Sequence, residues 1–128
     1  MKNTEESIMY RVVVSDHFDA AHYIKDYPGK CRNMHGHRWT IQVCLEGENL
    51  NKTNILVDFA EVKTILKDML AACDHSVLNE IFTEDNLTAE FLARWIFVNY
   101  GYRLPYWSVV ISWVRVWESP DAYVEWSE

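Results

Sequence analysis

The sequence is poor in the residues that interrupt a fold or cross-link it. Its 128 residues include four glycines, three prolines and three cysteines, and they contain no repeat, low-complexity tract or Pro/Gly-rich linker. An odd number of cysteines without paired spacing argues against a disulfide framework and for reduced thiols. A chain of this length is the size of one compact domain. We therefore predict a single domain over residues 1–128, with residues 1–7 flexible.

Positive charge is also scarce, because 12 lysines and arginines stand against 19 aspartates and glutamates. Proteins that bind nucleic acid concentrate Lys and Arg to neutralise phosphates, so a nucleic-acid partner is not expected. No apolar stretch approaches the roughly 20 residues of a membrane span, and the first residues lack a signal-peptide core. We expect a soluble cytoplasmic protein with no membrane partner.

Hydrophobic periodicity predicts strands at both ends of the chain. Residues 8–18 and 38–46 alternate apolar and polar side chains, which is typical of half-buried strands. Residues 107–118 form a Val-, Ile- and Trp-rich run, and Ser119-Pro120-Asp121 predicts a tight turn into a last strand at residues 122–126. Cys44 falls on an apolar strand position, where cysteine behaves as a small hydrophobe, so it is assigned no chemistry.

Helical spacing follows in the middle of the chain. Asp58 and Glu61 resemble a capping box, and the residues that recur at helical spacing after them are Phe59, Val62, Leu66, Met69, Leu70 and Cys73. Cys73 is likewise assigned no chemistry. Thr88 is a candidate N-cap for a second helix, with Gly101 as its stop signal. The order ββααββ predicts an α+β fold: a four-stranded antiparallel sheet with two helices on one face.

Three histidines and a thiol lie close together in the sequence. His35 and His37 are two residues apart and share the strand face predicted to be buried, where unpaired imidazoles need a partner. His22, at the end of the neighbouring strand, can supply a third nitrogen for zinc. Three protein ligands leave a tetrahedral zinc one open position, as in catalytic sites. Cys31 as a fourth ligand would instead close the site, and spacing alone leaves this alternative open.

Two further polar residues, His17 and Glu118, each have a simpler structural interpretation. His17 lacks a matching ligand set nearby and is interpreted as structural. Glu118 shares strand parity with the inward Val114 and Val116, and a buried carboxylate needs a partner. A ligand with two parallel N–H donors would supply one, although a glutamate at a strand end can also simply reach solvent.

Five motifs together resemble the 6-pyruvoyl-tetrahydropterin synthase family. They are F-x-A-A-H at 18–22, C-x-x-x-H-G-H at 31–37, D-H-x-x-L-N at 74–79, T-x-E at 88–90 and the glutamate ending the Val-rich strand at Glu118. The three-residue gap between Cys31 and His35 is more similar to the bacterial 6-carboxy-tetrahydropterin synthases of queuosine synthesis than to the animal pyruvoyl enzymes. Asp19, Leu87 and Ser119 depart from the usual family residues, which leaves the substrate within the family open.

The resemblance implies a tunnelling-fold (T-fold) subunit that binds Zn²⁺ through His22, His35 and His37. It implies conversion of 7,8-dihydroneopterin triphosphate to 6-carboxy-5,6,7,8-tetrahydropterin with release of acetaldehyde and triphosphate. The alternatives are triphosphate elimination to a 6-pyruvoyl product, a closed structural zinc domain, and a pterin-binding protein without turnover.

The resemblance also implies roles for further residues. Cys31 and the Asp74-His75 pair move protons, and Glu118 binds the pterin ring and also takes part in the proton relay. Asp74-His75 has the alternative of an ordinary helix exit, and Thr88 is either a helix cap, a pterin contact or both.

A small sheet has exposed edges that are normally covered or paired. The family implies a homo-oligomer, trimeric or hexameric, with active sites at subunit interfaces.

Overall fold

Two long antiparallel strands form the centre of the protein in the computed structural model, which describes residues 9–128. Strand β1 covers Tyr10–His22 and strand β2 covers His35–Gly47. They pair over their whole length, from Tyr10 opposite Gly47 to His22 opposite His35. Both strands extend beyond the predicted bounds at the histidine end, and the predicted start of the first strand at Ile8 lies outside the described residues. The pairing brings two of the three candidate ligands face to face.

The sheet is completed by a hairpin on one side and a short strand on the other. Strand β4 covers Val110–Ser119 and pairs with β2, and β5 covers Ala122–Ser127 and pairs with β4. Strand β3, Ser76–Val77, runs parallel to β1. Over residues 9–128 the sheet therefore has five strands in the order β3-β1-β2-β4-β5 and is mixed.

The predicted four-stranded antiparallel sheet is wrong in this respect. Strand β3 consists of two residues, which pair with Ala20 and Ala21 at the edge of β1. A strand this short carries no hydrophobic period that could reveal it in the sequence. The strand predicted at residues 107–118 begins three residues late, at Val110, and Trp107 is 94% exposed.

Three α-helices occur in the described part of the chain. Helix α1 covers Phe59–Leu70, α2 covers Leu78–Phe82 and α3 covers Ala89–Arg103. The order is thus ββαβααββ, and the prediction missed α2 as well as β3 because both are short. No helix within residues 9–128 is long and apolar enough to cross a membrane.

Both predicted helix caps are present, but one stop signal was misread. Asp58 accepts a hydrogen bond from the Ala60 N–H at 2.9 Å. Thr88 Oγ1 accepts one from the Phe91 N–H at 3.1 Å. Helix α3 continues through Gly101 to Arg103. A Cβ at Gly101 would come within 3.4 Å of Ile111 Cγ2, so the glycine allows close approach of helix and sheet.

The core lies between the helices and one face of the sheet. Trp39, Ile41, Val43 and Leu45 of β2 are completely buried there, as their alternation predicted. The opposite face, which we call the helix-free face, carries the cross-strand ion pairs Arg11–Glu46, Arg38–Asp19 and Arg115–Glu125. The α+β class and the placement of the helices on one face agree with the prediction.

Candidate metal centre

The end of the central strand pair brings three histidines together. His22 ends β1, and His35 and His37 begin β2 on the same face of the sheet. One candidate ligand atom from each ring lies within 4.8 Å of those from the other two. The ring of Trp39, completely buried, lies edge-on against His22 and His37 beneath them. His22 thus converges on one point with His35 and His37, which follow it by 13 and 15 positions in the chain.

Backbone carbonyls fix the orientation of two of the rings. His22 Nδ1 lies 2.6 Å from the Leu87 carbonyl oxygen, and His35 Nδ1 lies 2.7 Å from that of Asn33. A carbonyl oxygen only accepts, so Nδ1 must carry the proton and donate. The Nε2 atom of each ring is then left with a lone pair, which is the usual arrangement of a metal-ligating histidine.

The burial of these nitrogens fits a metal ion. His22 Nε2 and His37 Nε2 are buried and have no hydrogen-bond partner among residues 9–128. A buried nitrogen without a partner is costly, and one divalent ion would bind both. Burial also lowers the pKa of His22 and of His37 below the ordinary histidine value. Both rings are therefore neutral at pH 7, which is the protonation state that binds metals.

Cys31 lies next to the chain that follows β1 and is not part of this cluster. It is half-buried in a 3₁₀ turn, Lys30–Arg32, and its carbonyl accepts a hydrogen bond from the Ile24 N–H at 2.7 Å. That hydrogen bond holds the turn against the backbone of Ile24, two residues after His22. The close group of ligand atoms contains the three imidazoles without the Cys31 sulfur. Three imidazole ligands would leave a tetrahedral metal ion one open position.

Glu118 lies directly against the cluster. Its Oε2 atom is 3.5 Å from His37 Nε2 and 3.9 Å from His22 Nε2. These distances exceed a normal hydrogen bond, so the carboxylate borders the two nitrogens without a direct hydrogen bond to either. Glu118 and His37 also line a groove of about 510 Å³ together with Thr40, Gln42 and Trp117, among others. The carboxylate therefore borders the space where a ligand would approach the cluster.

Asp74 and His75 form a pair elsewhere in the site region. Asp74 Oδ2 lies 3.0 Å from His75 Nδ1, and the two side chains are 47% and 79% exposed. Asp74 Oδ1 accepts a hydrogen bond from the Asp19 N–H at 3.0 Å. The pair precedes β3 at the edge of β1 that faces away from β2. The structure brings Asp74 and His75 to each other but gives them no contact with the three imidazoles.

The remaining candidates occupy separate places. His17 is exposed on β1, apart from the cluster. Cys44 and Cys73 are buried, and burial raises the pKa of both thiols, that of Cys73 to about 11. Both are protonated at neutral pH, which agrees with assigning them no chemistry. Thr88 is the N-cap of α3, directly after the Leu87 carbonyl that orients His22.

Sequence reasoning missed the groups that hold the cluster in place. The carbonyls of Leu87 and Asn33 carry no side-chain signal and could not have been found. Asn79, which is buried, accepts a hydrogen bond from the Tyr23 N–H at 3.0 Å and donates to the carbonyls of Tyr23 and Glu84 at 2.8 and 2.9 Å. It ties the loop before Leu87 to the chain just after His22. Its place in the D-H-x-x-L-N motif was the available signal.

An α+β sheet with a three-histidine candidate metal centre at its end defines a class of protein, and comparison with known families identifies which one. The family model of 6-pyruvoyl tetrahydropterin synthase matches residues 11–128. The chain therefore belongs to the 6-pyruvoyl tetrahydropterin synthase family, as its motifs predicted.

Known relatives span nearly all of the chain. It is 29% identical to 6-carboxy-5,6,7,8-tetrahydropterin synthase of Haemophilus influenzae, over 94% of this chain and 100% of that protein. It is 32% identical to dihydroneopterin monophosphate aldolase of Pyrococcus furiosus, over 90% and 95%. Among solved structures, 6-pyruvoyl tetrahydropterin synthase of Caenorhabditis elegans superposes with a TM-score of 0.83, 26% identity and coverage of 98% and 99%. The predicted T-fold is confirmed by this neighbour.

Proposed function

We propose that the protein is a zinc-dependent lyase that converts 7,8-dihydroneopterin triphosphate to 6-carboxy-5,6,7,8-tetrahydropterin, releasing acetaldehyde and triphosphate. The observation that carries the proposal is the cluster of three imidazoles whose buried nitrogens lack a partner among residues 9–128. Several relatives named 6-carboxy-5,6,7,8-tetrahydropterin synthase, one covering 94% of the chain, favour this reaction within the family. Its place would be queuosine or 7-deazapurine biosynthesis. The single domain and the cytoplasmic location stay predictions from the sequence.

His22, His35 and His37 would hold the zinc ion through their Nε2 atoms. Zinc bound at such a centre supplies Lewis-acid polarisation of substrate oxygens, which acidifies the neighbouring C–H bonds. The carbonyls of Leu87 and Asn33 keep two of the rings in the ligating tautomer, and the burial of His22 keeps water away from its nitrogen. Three ligands leave room for the substrate.

Proton transfer in the proposal is assigned to Cys31 and to the Asp74-His75 pair. Cys31 takes a proton from the substrate side chain, and its place beside the end of β1 supports this role. The Asp74 carboxylate accepts from His75 Nδ1 and thereby fixes the tautomer, which leaves His75 Nε2 free to exchange a proton. The exposure of His75 allows contact with a substrate held by another subunit.

Ring recognition is assigned to Glu118, with Thr88 as a second contact. The two oxygens of Glu118 match the amino group and ring N–H of a pterin, which are parallel donors. Its position beside the groove and the imidazoles supports contact with a substrate bound there. A share of Glu118 in the proton relay stays a prediction. Thr88 already caps α3, so its ring contact would be an additional role.

A homo-oligomer, trimeric or hexameric, is the proposed functional form. Within the described residues, β5 has no strand on its outer side, and β1 is paired on its outer side only at Ala20 and Ala21. Such edges are normally covered or paired. The Asp74-His75 pair lies along the β1 edge, so a neighbouring copy there would receive it. The active site would then be completed across the interface.

The proposal is tested by incubating zinc-loaded protein with dihydroneopterin triphosphate and identifying the pterin by mass spectrometry, with a parallel acetaldehyde assay. A 6-carboxy product with acetaldehyde is expected. Triphosphate release without acetaldehyde would establish the 6-pyruvoyl alternative, which the likeness to the C. elegans structure favours. An unchanged pterin would leave a binding protein without turnover.

Cys31→Ala is the matched variant for this experiment. Retained zinc with lost turnover is expected, since the sulfur lies outside the imidazole group. Loss of zinc together with the fold would show that the thiol is a structural ligand, and the proposed chemistry would be wrong.

A further inference from the structure

The backbone of Asp19 holds the Asp74-His75 pair in place. The Asp19 N–H donates to Asp74 Oδ1 at 3.0 Å, and the His75 N–H donates to the Asp19 carbonyl at 2.6 Å. His75 adopts a φ of 57°, a left-handed conformation that is uncommon for residues other than glycine. Two hydrogen bonds to a single strand residue thus set the turn from which both side chains project.

The side chain of Asp19 is in turn held from the neighbouring strand. Arg38 is the cross-strand partner of Asp19, and its Nε and Nη2 atoms donate to the two carboxylate oxygens at 2.9 and 3.1 Å. A two-pronged pair of this kind fixes geometry as well as charge. Arg38 directly follows His37. The ion pair therefore links the strand of the histidine cluster to the residue that carries the Asp74-His75 pair.

Charge gives the ion pair a second effect. The carboxylates of Asp19 and Asp74 lie near each other, and the charge of Asp19 opposes ionisation of Asp74. The hydrogen bond from Arg38 lowers the pKa of Asp19, and the Asp19 N–H is the main cause of the lowered pKa of Asp74. Without the guanidinium, the carboxylate of Asp19 would be uncompensated. It would then compete with Asp74 for the hydrogen bond from the His75 ring, and the ring could turn away from Asp74.

We propose that the Asp19–Arg38 ion pair is a positioning device for the Asp74-His75 pair. It fixes the strand residue that holds both side chains and cancels a carboxylate charge that would otherwise draw His75 away from Asp74. This inference rests on the proposed proton-transfer role of Asp74 and His75. Arg38 also lines the groove beside His37 and Glu118. In this proposal Asp19 and Arg38 are positioning residues, because they act through Asp74 and His75.

The test compares Arg38→Gln with the double variant Arg38→Gln/Asp19→Asn in the zinc-loaded oligomer. Arg38→Gln is expected to lower kcat about tenfold with KM nearly unchanged, since misplacing one proton carrier forfeits part of its contribution. The double variant, which removes the uncompensated charge, is expected to recover most of that loss. Arg38→Lys should fall between wild type and Arg38→Gln. Zinc content should be unchanged in all of them.

Arg11→Gln is the matched control. Arg11 forms a similar cross-strand pair with Glu46 on the same face of the sheet, at the end far from the histidines. Wild-type kcat is expected for Arg11→Gln. An equal loss in this control would show a general effect on the sheet and overturn the proposal.

Two further outcomes would also overturn it. A raised KM with unchanged kcat in Arg38→Gln would make Arg38 a substrate-binding group. A double variant no more active than Arg38→Gln would exclude the charge effect.

A second readout is the ¹⁵N NMR spectrum of His75, in which Arg38→Gln should reduce the Nδ1-protonated tautomer. If Asp74→Asn left kcat intact, the proposed relay would fail, whereas the His75 tautomer would still report on positioning.

Discussion

The histidine cluster and the Asp74-His75 pair use the same side chain in two opposite settings. His22 is completely buried and hydrogen-bonds a carbonyl, whereas the side chain of His75 is 79% exposed and pairs with a carboxylate. A carbonyl leaves a neutral ring with a free Nε2 lone pair, while a carboxylate that accepts from Nδ1 orients the ring and fixes its tautomer. The first setting suits a metal ligand and the second a proton carrier.

The two regions also differ in how complete they are within one chain. The cluster is assembled and oriented entirely by its own protomer, from β1, β2 and the loop before α3. The pair faces outward at a sheet edge. Under the proposed function, a single protomer would hold the metal and a neighbouring subunit would supply the relay.

The largest effect is expected at the cluster. His35→Ala should lose bound zinc and lower kcat/KM by at least about a thousandfold, because a metal ion stabilises the transition state by several kcal/mol. Metal analysis of the purified protein and initial rates would measure both. His17→Ala, which changes a histidine outside the cluster on strand β1, should retain zinc and activity. Normal zinc content in His35→Ala would contradict the assignment.

Mixing subunits tests whether the pair works across an interface. Asp74→Asn and His75→Asn should each lower kcat about a hundredfold with zinc retained, as loss of a general acid-base group typically does. Oligomers reassembled from equal amounts of His37→Ala and His75→Asn should regain about one quarter of wild-type activity, because random mixing joins two intact halves at that frequency. No recovery in oligomers shown to be mixed would place the whole site within one chain.

Much of this architecture could be predicted from the sequence because it depends on periodic patterns. Alternation along β2 predicted both the buried face and the shared direction of His35 and His37. The helices followed from their spacing and caps. The two-residue strand β3 and the five-residue helix α2 could not be predicted, since elements this short have no period.

The site was predictable only as far as its side chains. The three histidines that converge were identifiable by type and spacing, whereas the role of Cys31 stays a prediction. The orienting carbonyls of Leu87 and Asn33 were not, because every residue has a carbonyl and only the folded chain selects which one reaches a ring. The separation of Asp74-His75 from the cluster likewise depends on the edge of β1 to which β3 returns.

Asn79 tests the scaffold of the cluster, with an intermediate effect. Asn79→Ala should lower the free energy of unfolding by about 1–3 kcal/mol, because part-buried backbone groups of Tyr23 and Glu84 lose their partner. Zinc affinity should fall about tenfold as the loop that positions Leu87 loosens. Urea unfolding and zinc titration would measure these changes. Asn86→Ala is the control. Its hydrogen bonds with Asp26 are exposed, so their loss should lower the free energy of unfolding and the zinc affinity less. Equal losses in both variants would contradict the role of Asn79.

The smallest effect concerns pH and Cys73. Burial raises the pKa of this thiol from 9.0 to about 11, so the folded state disfavours the thiolate. The resulting stability is present below pH 9 and is lost as the pH rises towards 11. Between pH 8 and 10, urea unfolding should show a steeper loss of stability for the wild type than for Cys73→Ala. Equal slopes would contradict the raised pKa.

The absorption spectrum of the Co²⁺-substituted protein tests the three-histidine centre most directly. Cobalt reports both the number of ligands and the presence of sulfur among them. The expected spectrum is that of a four-coordinate ion without a thiolate-to-cobalt charge-transfer band, and Cys31→Ala should leave it unchanged. A charge-transfer band that disappears in Cys31→Ala would show that the sulfur closes the site, contradicting an open centre that accepts substrate.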